Sequence, residues 1–201
     1  MAKDALVWDL AVTLQELLRA RVRLPDGHLV NFTVEPPRGT AAESARPLVY
    51  VCLYELEENV PARRMEKTLV ATVEENGDLF EYYQMPSLPL QLRFLLACDG
   101  RSREEEHRLL GQFLRVIHDH PVLQGAELVR GESVGPDEKI HVAVRSAWGI
   151  EAQSRFWQAL GATFRPAVCC QLSVFLESER RERVVRVKER VVEVRRSVTS
   201  S

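Results

Sequence analysis

One apolar run constrains this fold more than any other stretch of the chain. Residues 47–56 read Pro-Leu-Val-Tyr-Val-Cys-Leu-Tyr-Glu-Leu, with β-branched and aromatic side chains and no polar alternation. A short run of this kind is typical of a strand that is covered on both faces. Pro47 can open the strand, and Glu57-Glu58-Asn59 followed by Pro61 supplies turn residues that end it. The run predicts the central strand of a sheet on which helices pack.

Composition and charge suggest one domain with an appendage. The chain has 201 residues, of which 45% are hydrophobic and 28% charged, enough apolar residues for a core. From residue 177 to the end there are eight Arg or Lys and five Glu, a net of +3; the whole chain carries −2, so residues 1–176 carry −5. The sequence therefore predicts a domain at 1–177 and a basic, Val/Arg-rich extension at 178–201.

The sequence gives no sign of export, membrane insertion or metal-binding cysteines. No apolar run approaches the ~20 residues that span a bilayer, and acids interrupt the N-terminal apolar stretch, so we expect a cytoplasmic location. Cys52 and Cys98 lie in apolar runs, as expected for buried reduced thiols. Cys169 and Cys170 are adjacent and would point to opposite faces of a strand, which does not suit one tetrahedral site.

Three helices are predicted. Residues 4–20 carry leucines at helical spacing, with Asp4 as the expected N-cap. Ser102 and Glu105 match a capping box and start a second helix, which should end near His120 because a proline follows. A short third helix at 151–160 should end at Gly161 as its C′ residue.

The predicted strands lie at 29–35, 90–98, 138–145 and 166–177, with weak strand character at 127–130. We expect 90–98 to lie beside 47–56. Two further β-rich runs, 67–74 and 79–83, flank Asn76-Gly77, the strongest short-range signal for a hairpin. There is no βαβ rhythm, so the fold class is α+β, with a mixed, largely antiparallel sheet packed by two to three helices.

The C-terminal extension allows two interpretations. Its valines at 184, 187, 191, 194 and 198 fall on a heptad, which favours a helix. Valine nevertheless prefers strands, and Val185 and Val187 alternate with Arg186 and Lys188 before the alternation slips phase near residues 191–192. Either form leaves an apolar stripe too thin to bury alone, so we expect a partner, another subunit.

No residue pattern argues for catalysis or a cofactor. His118 and His120 diverge on a helix and lack further ligands, and Glu55 and Glu57 fit a charged strand end. No serine lies in a nucleophile elbow, and no glycine-rich loop follows a strand. Five glutamates interrupt the basic extension, which argues against nucleic acid. We predict that the chain is not an enzyme and has no catalytic, cofactor-binding or metal-binding residues.

Several motifs, in this order, resemble a known family. They are Asp9-Leu10-Ala11-Val12-Thr13-Leu14, Phe32-Thr33-Val34-Glu35-Pro36, Leu53-Tyr54-Glu55-Leu56-Glu57-Glu58-Asn59 with Arg63 or Arg64, Leu90-Gln91-Leu92-Arg93-Phe94-Leu95-Leu96-Ala97, His107-Arg108-Leu109-Leu110-Gly111 through His120-Pro121-Val122-Leu123, and Trp157-Gln158-Ala159-Leu160-Gly161 with Phe164-Arg165-Pro166-Ala167. Together they are similar to the cap, or tail-terminator, proteins of phage-tail-like contractile injection systems of the antifeeding-prophage type. The likeness covers roughly residues 4–177. It departs from the family at 60–87, where a hairpin replaces a Pro-rich run.

The resemblance implies a structural role. Such proteins form a ring, here expected to be a hexamer, on the end of the inner tube distal to the baseplate, where they end tube and sheath growth. The implied partners are further copies of the chain, the inner tube protein and the sheath protein, with no nucleic acid and no membrane. We further hypothesise that the extension contacts the last sheath layer through Val184, Val185, Arg186, Val187, Lys188, Arg190, Val191, Val192 and Val194.

Two other classes of function fit the same α+β domain. One is a small-ligand or enzymatic domain, which would need no ring. The other is an assembly chaperone that is absent from the finished particle. Size in solution and presence in finished particles separate these classes from a cap.

Overall fold

The structure, a computed structural model, describes residues 5–24, 27, 29–37, 46–73, 79–129, 134, 138–145 and 149–184. The chain divides into two compact units. The large unit comprises residues 1–63 and 87–177, and the small unit comprises residues 64–86 and 178–201. The predicted boundary at residue 177 had placed residues 64–86 with the large unit; in the structure they group with the C-terminal extension.

Three α-helices, nine strands and two one-turn 3-10 helices, at Val60–Ala62 and Gly125–Glu127, make up the regular structure of the described residues. The helices are α1 (Leu6–Arg21), α2 (Arg103–Asp119) and α3 (Ile150–Ala159). The strands are β1 (Asn31–Thr33), β2 (Leu48–Glu58), β3 (Thr68–Val73), β4 (Leu79–Gln84), β5 (Leu88–Asp99), β6 (Val122–Leu123), β7 (Ile140–Arg145), β8 (Val168–Leu176) and β9 (Arg181–Arg183). No helix in the described part of the chain is long and apolar enough to cross a membrane.

The large unit is built on a six-stranded sheet with the order β1-β2-β5-β8-β7-β6. Only the β1–β2 pair is parallel among these strands; the other four pairs are antiparallel. The predicted pairing of the two long apolar runs is confirmed, because β2 lies beside β5 along nearly its whole length. The most central strands are β5 and β8, so β2 is one position from the centre. The prediction of an α+β fold with a mixed, largely antiparallel sheet is confirmed.

Helices cover both faces of the sheet, as the apolar run of β2 predicts. On the first face, α1 packs against β1, β2 and α2, and α2 packs against β5, β7 and β8. Both helices contribute leucines and other large side chains at i, i+3 and i+4, which is the spacing that turns one helical stripe toward a sheet. The side chains buried in this core include Leu10, Leu14, Leu18, Leu109, Phe113 and Ile117.

The second face is covered by α3, the shortest helix. Trp157 of α3 is 1% exposed and packs with Tyr50 of β2 and with Leu95 and Ala97 of β5. This cluster lies on alternate positions to the first-face core, because successive strand residues point to opposite faces. The two clusters explain why β2 and β5 show no polar alternation where the helices lie.

The predicted helix ends are largely as the sequence indicates. The Ser102 hydroxyl accepts the backbone N–H of Glu105 at 3.2 Å, but the Glu105 carboxylate accepts the N–H of Arg101 instead of that of Ser102, so the predicted capping box is shifted by one residue. Helix α1 begins at Leu6 with Ala5 at the N-cap position, and Asp4 lies outside the described residues.

The third helix ends as predicted, in a left-handed glycine. Gly161 has φ +64°, and its N–H donates to the carbonyl of Gln158 while the N–H of Ala162 donates to that of Trp157. These two bonds form a Schellman motif, which satisfies carbonyls that the helix leaves open.

The small unit is a three-stranded antiparallel sheet with the order β3-β4-β9. The predicted hairpin is confirmed as β3 and β4, while its turn lies outside the described residues. The third strand, β9, comes from the C-terminal extension, so residues 181–183 of that segment are strand, while residues 185–201, which carry most of its valines, lie outside the described residues. Two expectations differ from the structure: strand 29–35 is reduced to β1, and residues 127–129 are not strand, since a 3-10 turn at Gly125–Glu127 ends there, while Arg130 lies outside the described residues.

Candidate functional site

The described surface has a shallow, mostly apolar depression at the start of α3. It is lined by Gly149, Ile150, Glu151, Ala152 and Arg155. Among the described residues, no three His, Cys, Asp or Glu side chains lie close enough to hold a metal ion. Nδ1 of His120, in the His-Asp-His motif, lies 2.9 Å from the carbonyl oxygen of Val116, next to its own helix end.

The four cysteines are buried, free thiols. Burial raises the pKa of Cys52, Cys98, Cys169 and Cys170, that of Cys98 to about 12. A raised thiol pKa lowers the thiolate fraction at neutral pH, and the thiolate is the nucleophile. The cysteines therefore contribute to packing.

A buried polar cluster ties the end of β5 to the segment that follows α3. Nε of Arg165 lies 2.5 Å from Oδ1 of Asp99, and the Tyr50 hydroxyl donates to Oδ2 of Asp99 at 2.7 Å. Arg165 is 5% exposed. Burial, together with the hydrogen bond to Asp99, raises the pKa of Tyr50 to about 12. The cluster holds the chain after α3 against the C-terminal end of β5, which is a positioning role.

A second charged cluster lies on the part of the second face that α3 leaves open. Arg93 of β5 donates to Glu55 and to Glu57 of β2, each at 2.6 Å. A register shift in β2 between Leu53 and Glu55 brings Glu55 opposite Arg93. The hydrogen bond from Arg93 to Glu55 raises the pKa of Arg93. The two glutamates are thus held by one cation across the strands, a fixed ion-pair arrangement unlike a pair of catalytic acids.

The small unit exposes most of β3. Leu69 and Val73 are 49% and 64% exposed, and no residue of this strand is charged. Across the same sheet, Lys67 donates to the Glu182 carboxylate at 2.6 Å, which lowers the pKa of Glu182. The sheet therefore presents an apolar, uncharged strand at one side and a charged strand at the other.

Arginines of β9 stack on aromatic rings of β4. The guanidinium of Arg181 lies 4.6 Å from the ring centroid of Tyr82, and that of Arg183 lies 5.6 Å from that of Phe80. Cations over ring faces at these distances attract electrostatically. These contacts hold the cations of β9 over one face of the small sheet.

Of the nine residues predicted to contact the sheath, the structure describes one. Val184 follows β9, and its backbone N–H donates to the carbonyl of Glu81 at 3.1 Å. The others lie outside the described residues: Val185, Arg186, Val187, Lys188, Arg190, Val191, Val192 and Val194. Neither the pairing of β9 with β4 nor the Asp99–Arg165 pair was predicted from the sequence; the alternation at 184–188 was the one signal for the former.

The comparisons with known proteins concern nearly the whole chain. The family model described as the Pvc16 N-terminal domain matches residues 9–189. The chain belongs to this family. The match continues past residue 177, where the sequence-based likeness ended, and takes in both units of this Pvc16 N-terminal domain chain. Among curated proteins, none matches the chain.

Two solved structures share the fold of this family member. One is the sheath/tube terminator of PVC, an extracellular contractile injection system, in its extended state, with a TM-score of 0.67, 14% identity and coverage of 97% of this chain. The other is the tube-terminating cap of the anti-feeding prophage, with a TM-score of 0.63, 16% identity and coverage of 93%. The chain spans 65% and 61% of those two proteins, less than two thirds of each. The resemblance to the cap and terminator family is confirmed.

Proposed function

We propose that this chain is the cap, or tail terminator, of a contractile injection system. It forms a hexameric ring on the distal end of the inner tube, ends the growth of tube and sheath, and anchors the last sheath layer. Its role is structural and not enzymatic, and its partners are its own copies, the tube protein and the sheath protein, assembled in the cytoplasm without nucleic acid or membrane. The observation that carries the proposal is the family match over residues 9–189.

A cap of this kind needs shape complementarity to the tube and no chemical reaction. A heterologous contact repeated by rotation closes into a ring, and a ring whose outer surface cannot accept another layer terminates a polymer. The buried Arg165, paired with the half-buried Asp99, fixes the segment after α3 against the end of β5. A terminating ring must be rigid, because its outer surface must not change into one that binds another layer of tube protein.

The C-terminal extension supplies the proposed hold on the sheath. Its residues from Val184 to Val194 carry a valine stripe among cations, and such a segment can add a strand or a short helix to a neighbouring protein and bury the stripe there. Because β9 belongs to the small sheet, a truncation that tests this contact should leave Arg181–Arg183 intact. A chain that ends at Val184 meets this condition and also keeps the bond from the Val184 N–H to Glu81.

Electron microscopy of particles made with and without the chain tests the main proposal. With the chain, tubes should have a uniform length and a ring at the distal end; without it, tube lengths should spread. Uniform tubes in its absence, or finished particles that lack it, would contradict a cap and favour an enzyme or a chaperone. The chain ending at Val184, which lacks eight of the nine proposed contact residues, should still cap tubes but lose the sheath, and normal sheath retention would refute the contact of the extension.

A further inference from the structure

The two edges of the small sheet are unlike. One edge is β3, a strand of Thr, Leu, Val and Ala without a charge, and in the described part of the chain its only strand partner is β4. The other edge is β9, which is short and carries Arg181, Glu182 and Arg183. Soluble proteins commonly protect an edge by making it short and charged, as β9 is. Strand β3 has neither protection.

The backbone of β9 turns alternate residues away from β4. The N–H of Val184 donates to Glu81, and the N–H of Met85 donates to the carbonyl of Arg180, at 3.1 and 3.3 Å. In an antiparallel ladder the residues that bond inward alternate with residues that bond outward. Arg181 and Arg183 therefore direct their backbone N–H and C=O groups to the outer side of the sheet.

The same alternation fixes the outer groups of β3. In β4 the residues facing β9 are Glu81 and Tyr83, so Phe80, Tyr82 and Gln84 face β3. Their partners in β3 are the even-numbered residues, which leaves the odd-numbered ones to point outward. These outward residues are Leu69, Ala71 and Val73. Both edges thus present backbone groups at every second residue, which is the spacing that strand pairing needs.

We infer that copies of this chain join through these edges, the β3 edge of one copy pairing with the β9 edge of the next. The inference rests on the proposed ring and names its contact. Each copy binds one neighbour through its β3 edge and another through its β9 edge. The contact is therefore heterologous, and repeating it by rotation can close a ring. Pairing of β9 with a second β9 would set arginines against arginines, and like charges on facing strands repel. Pairing with β3 sets them against an uncharged strand.

The chain on either side of these strands supports the same pairing. Beyond Val184 the sequence continues Val-Arg-Val-Lys, which adds two further cations after β9. The uncharged run of β3 is preceded by Lys67 and followed by Glu74-Glu75. The cations of β9 would therefore meet an uncharged strand that two acids follow in the sequence.

Proline at position 71 tests the contact. The N–H of Ala71 points outward, so Ala71→Pro removes a donor from the edge while the inward ladder to β4 keeps its bonds, a placement that proline tolerates in edge strands. Ala71→Thr is the matched control, because threonine suits an edge strand and keeps the N–H. Mass measured by light scattering over a dilution series reports assembly, and a thermal melt shows that both variants fold.

We expect Ala71→Pro to raise the concentration of half-assembly at least about fivefold, the effect of one lost ladder hydrogen bond, and Ala71→Thr to assemble like the wild type.

Mixing Ala71→Cys chains with Arg183→Cys chains and a short bismaleimide should link them only when both are present, since the four native thiols are buried. Unchanged assembly of Ala71→Pro, or no link in the mixture, would overturn this contact and leave the cap intact as a proposal. An intact Ala71→Pro ring that loses its sheath would also overturn it and assign β3 to the sheath. A wild-type chain that forms no ring, free or on tubes, would refute the proposed ring itself.

Discussion

Asp99 and Arg165 show what a single buried pair does in this fold. Both side chains are nearly enclosed, and Asp99 also accepts from Tyr50. A buried ion pair is weak evidence for net stability, because losing water costs both ions several kcal/mol, on the order of what their attraction returns. Its effect on geometry is stronger, because an unpaired charge at this enclosed site would cost several kcal/mol of folding free energy. The pair therefore fixes where the chain after α3 meets the sheet.

Arg165→Met should lower the free energy of unfolding by roughly 3–5 kcal/mol, because it leaves the Asp99 carboxylate buried without its cation. Urea denaturation measures the loss. Arg108→Met is the matched control: Arg108 pairs with Glu104 on the exposed side of α2, and its loss should cost at most about 0.5 kcal/mol.

The double variant Arg165→Met with Asp99→Asn separates charge from packing. Asparagine keeps a polar partner for Tyr50 but removes the isolated charge, so the double variant should recover part of the loss. A double variant as unstable as the two single losses combined would show that the residues act independently and that the ion pair has no special role.

At the scale of elements, the hydrophobic periodicity of the sequence predicts most of the helices and strands. The helix stripes and the apolar runs of β2 and β5 follow local rules, and the structure has each of them close to its predicted bounds. The rules fail where long-range pairing decides the outcome. Strand β1 is short because only Asn31–Thr33 find partners in β2, and β9 is a strand because β4 lies beside it. The local sequence of β1 or β9 does not indicate which strand it pairs with. It likewise does not indicate that Arg165 pairs with Asp99.

Two glycines in the large unit should respond to alanine with opposite signs. Gly161 ends α3 with φ +64°, so Gly161→Ala places a Cβ in the left-handed region and should destabilise by roughly 1–2 kcal/mol. Gly111 lies inside α2, and a Cβ added there would meet nothing within 4 Å, so Gly111→Ala should stabilise by about 0.5–1 kcal/mol. Thermal and urea unfolding of both variants give the comparison. Equal signs would contradict this account of the α3 end.

At the scale of the whole molecule, the hydrophobic clusters and the exposed apolar strand β3 lie in different units. Every residue of the two hydrophobic clusters lies in 1–63 or 87–177, the large unit. The small unit is a three-stranded sheet with one exposed apolar edge. Small sheets of this kind are marginal alone and gain from added strands. The large unit thus supplies stability, and we assign the contact between copies to the small unit.

Excision of the small unit tests this division directly. A chain that ends at Glu177 and carries a flexible linker of about eight Gly and Ser residues in place of 64–86 keeps every cluster residue. The linker closes a short gap in the chain, since the N–H of Asn59 donates to the carbonyl of Pro89 at 2.9 Å beside the excised segment.

We expect a far-UV circular dichroism spectrum of helix and strand and one cooperative urea transition, because the core is unchanged. We also expect a monomer that no longer caps tubes, because both sheet edges are gone. A non-cooperative transition would mean that the large unit needs the small one to fold, and a ring of wild-type mass would move the contact between copies onto the large unit.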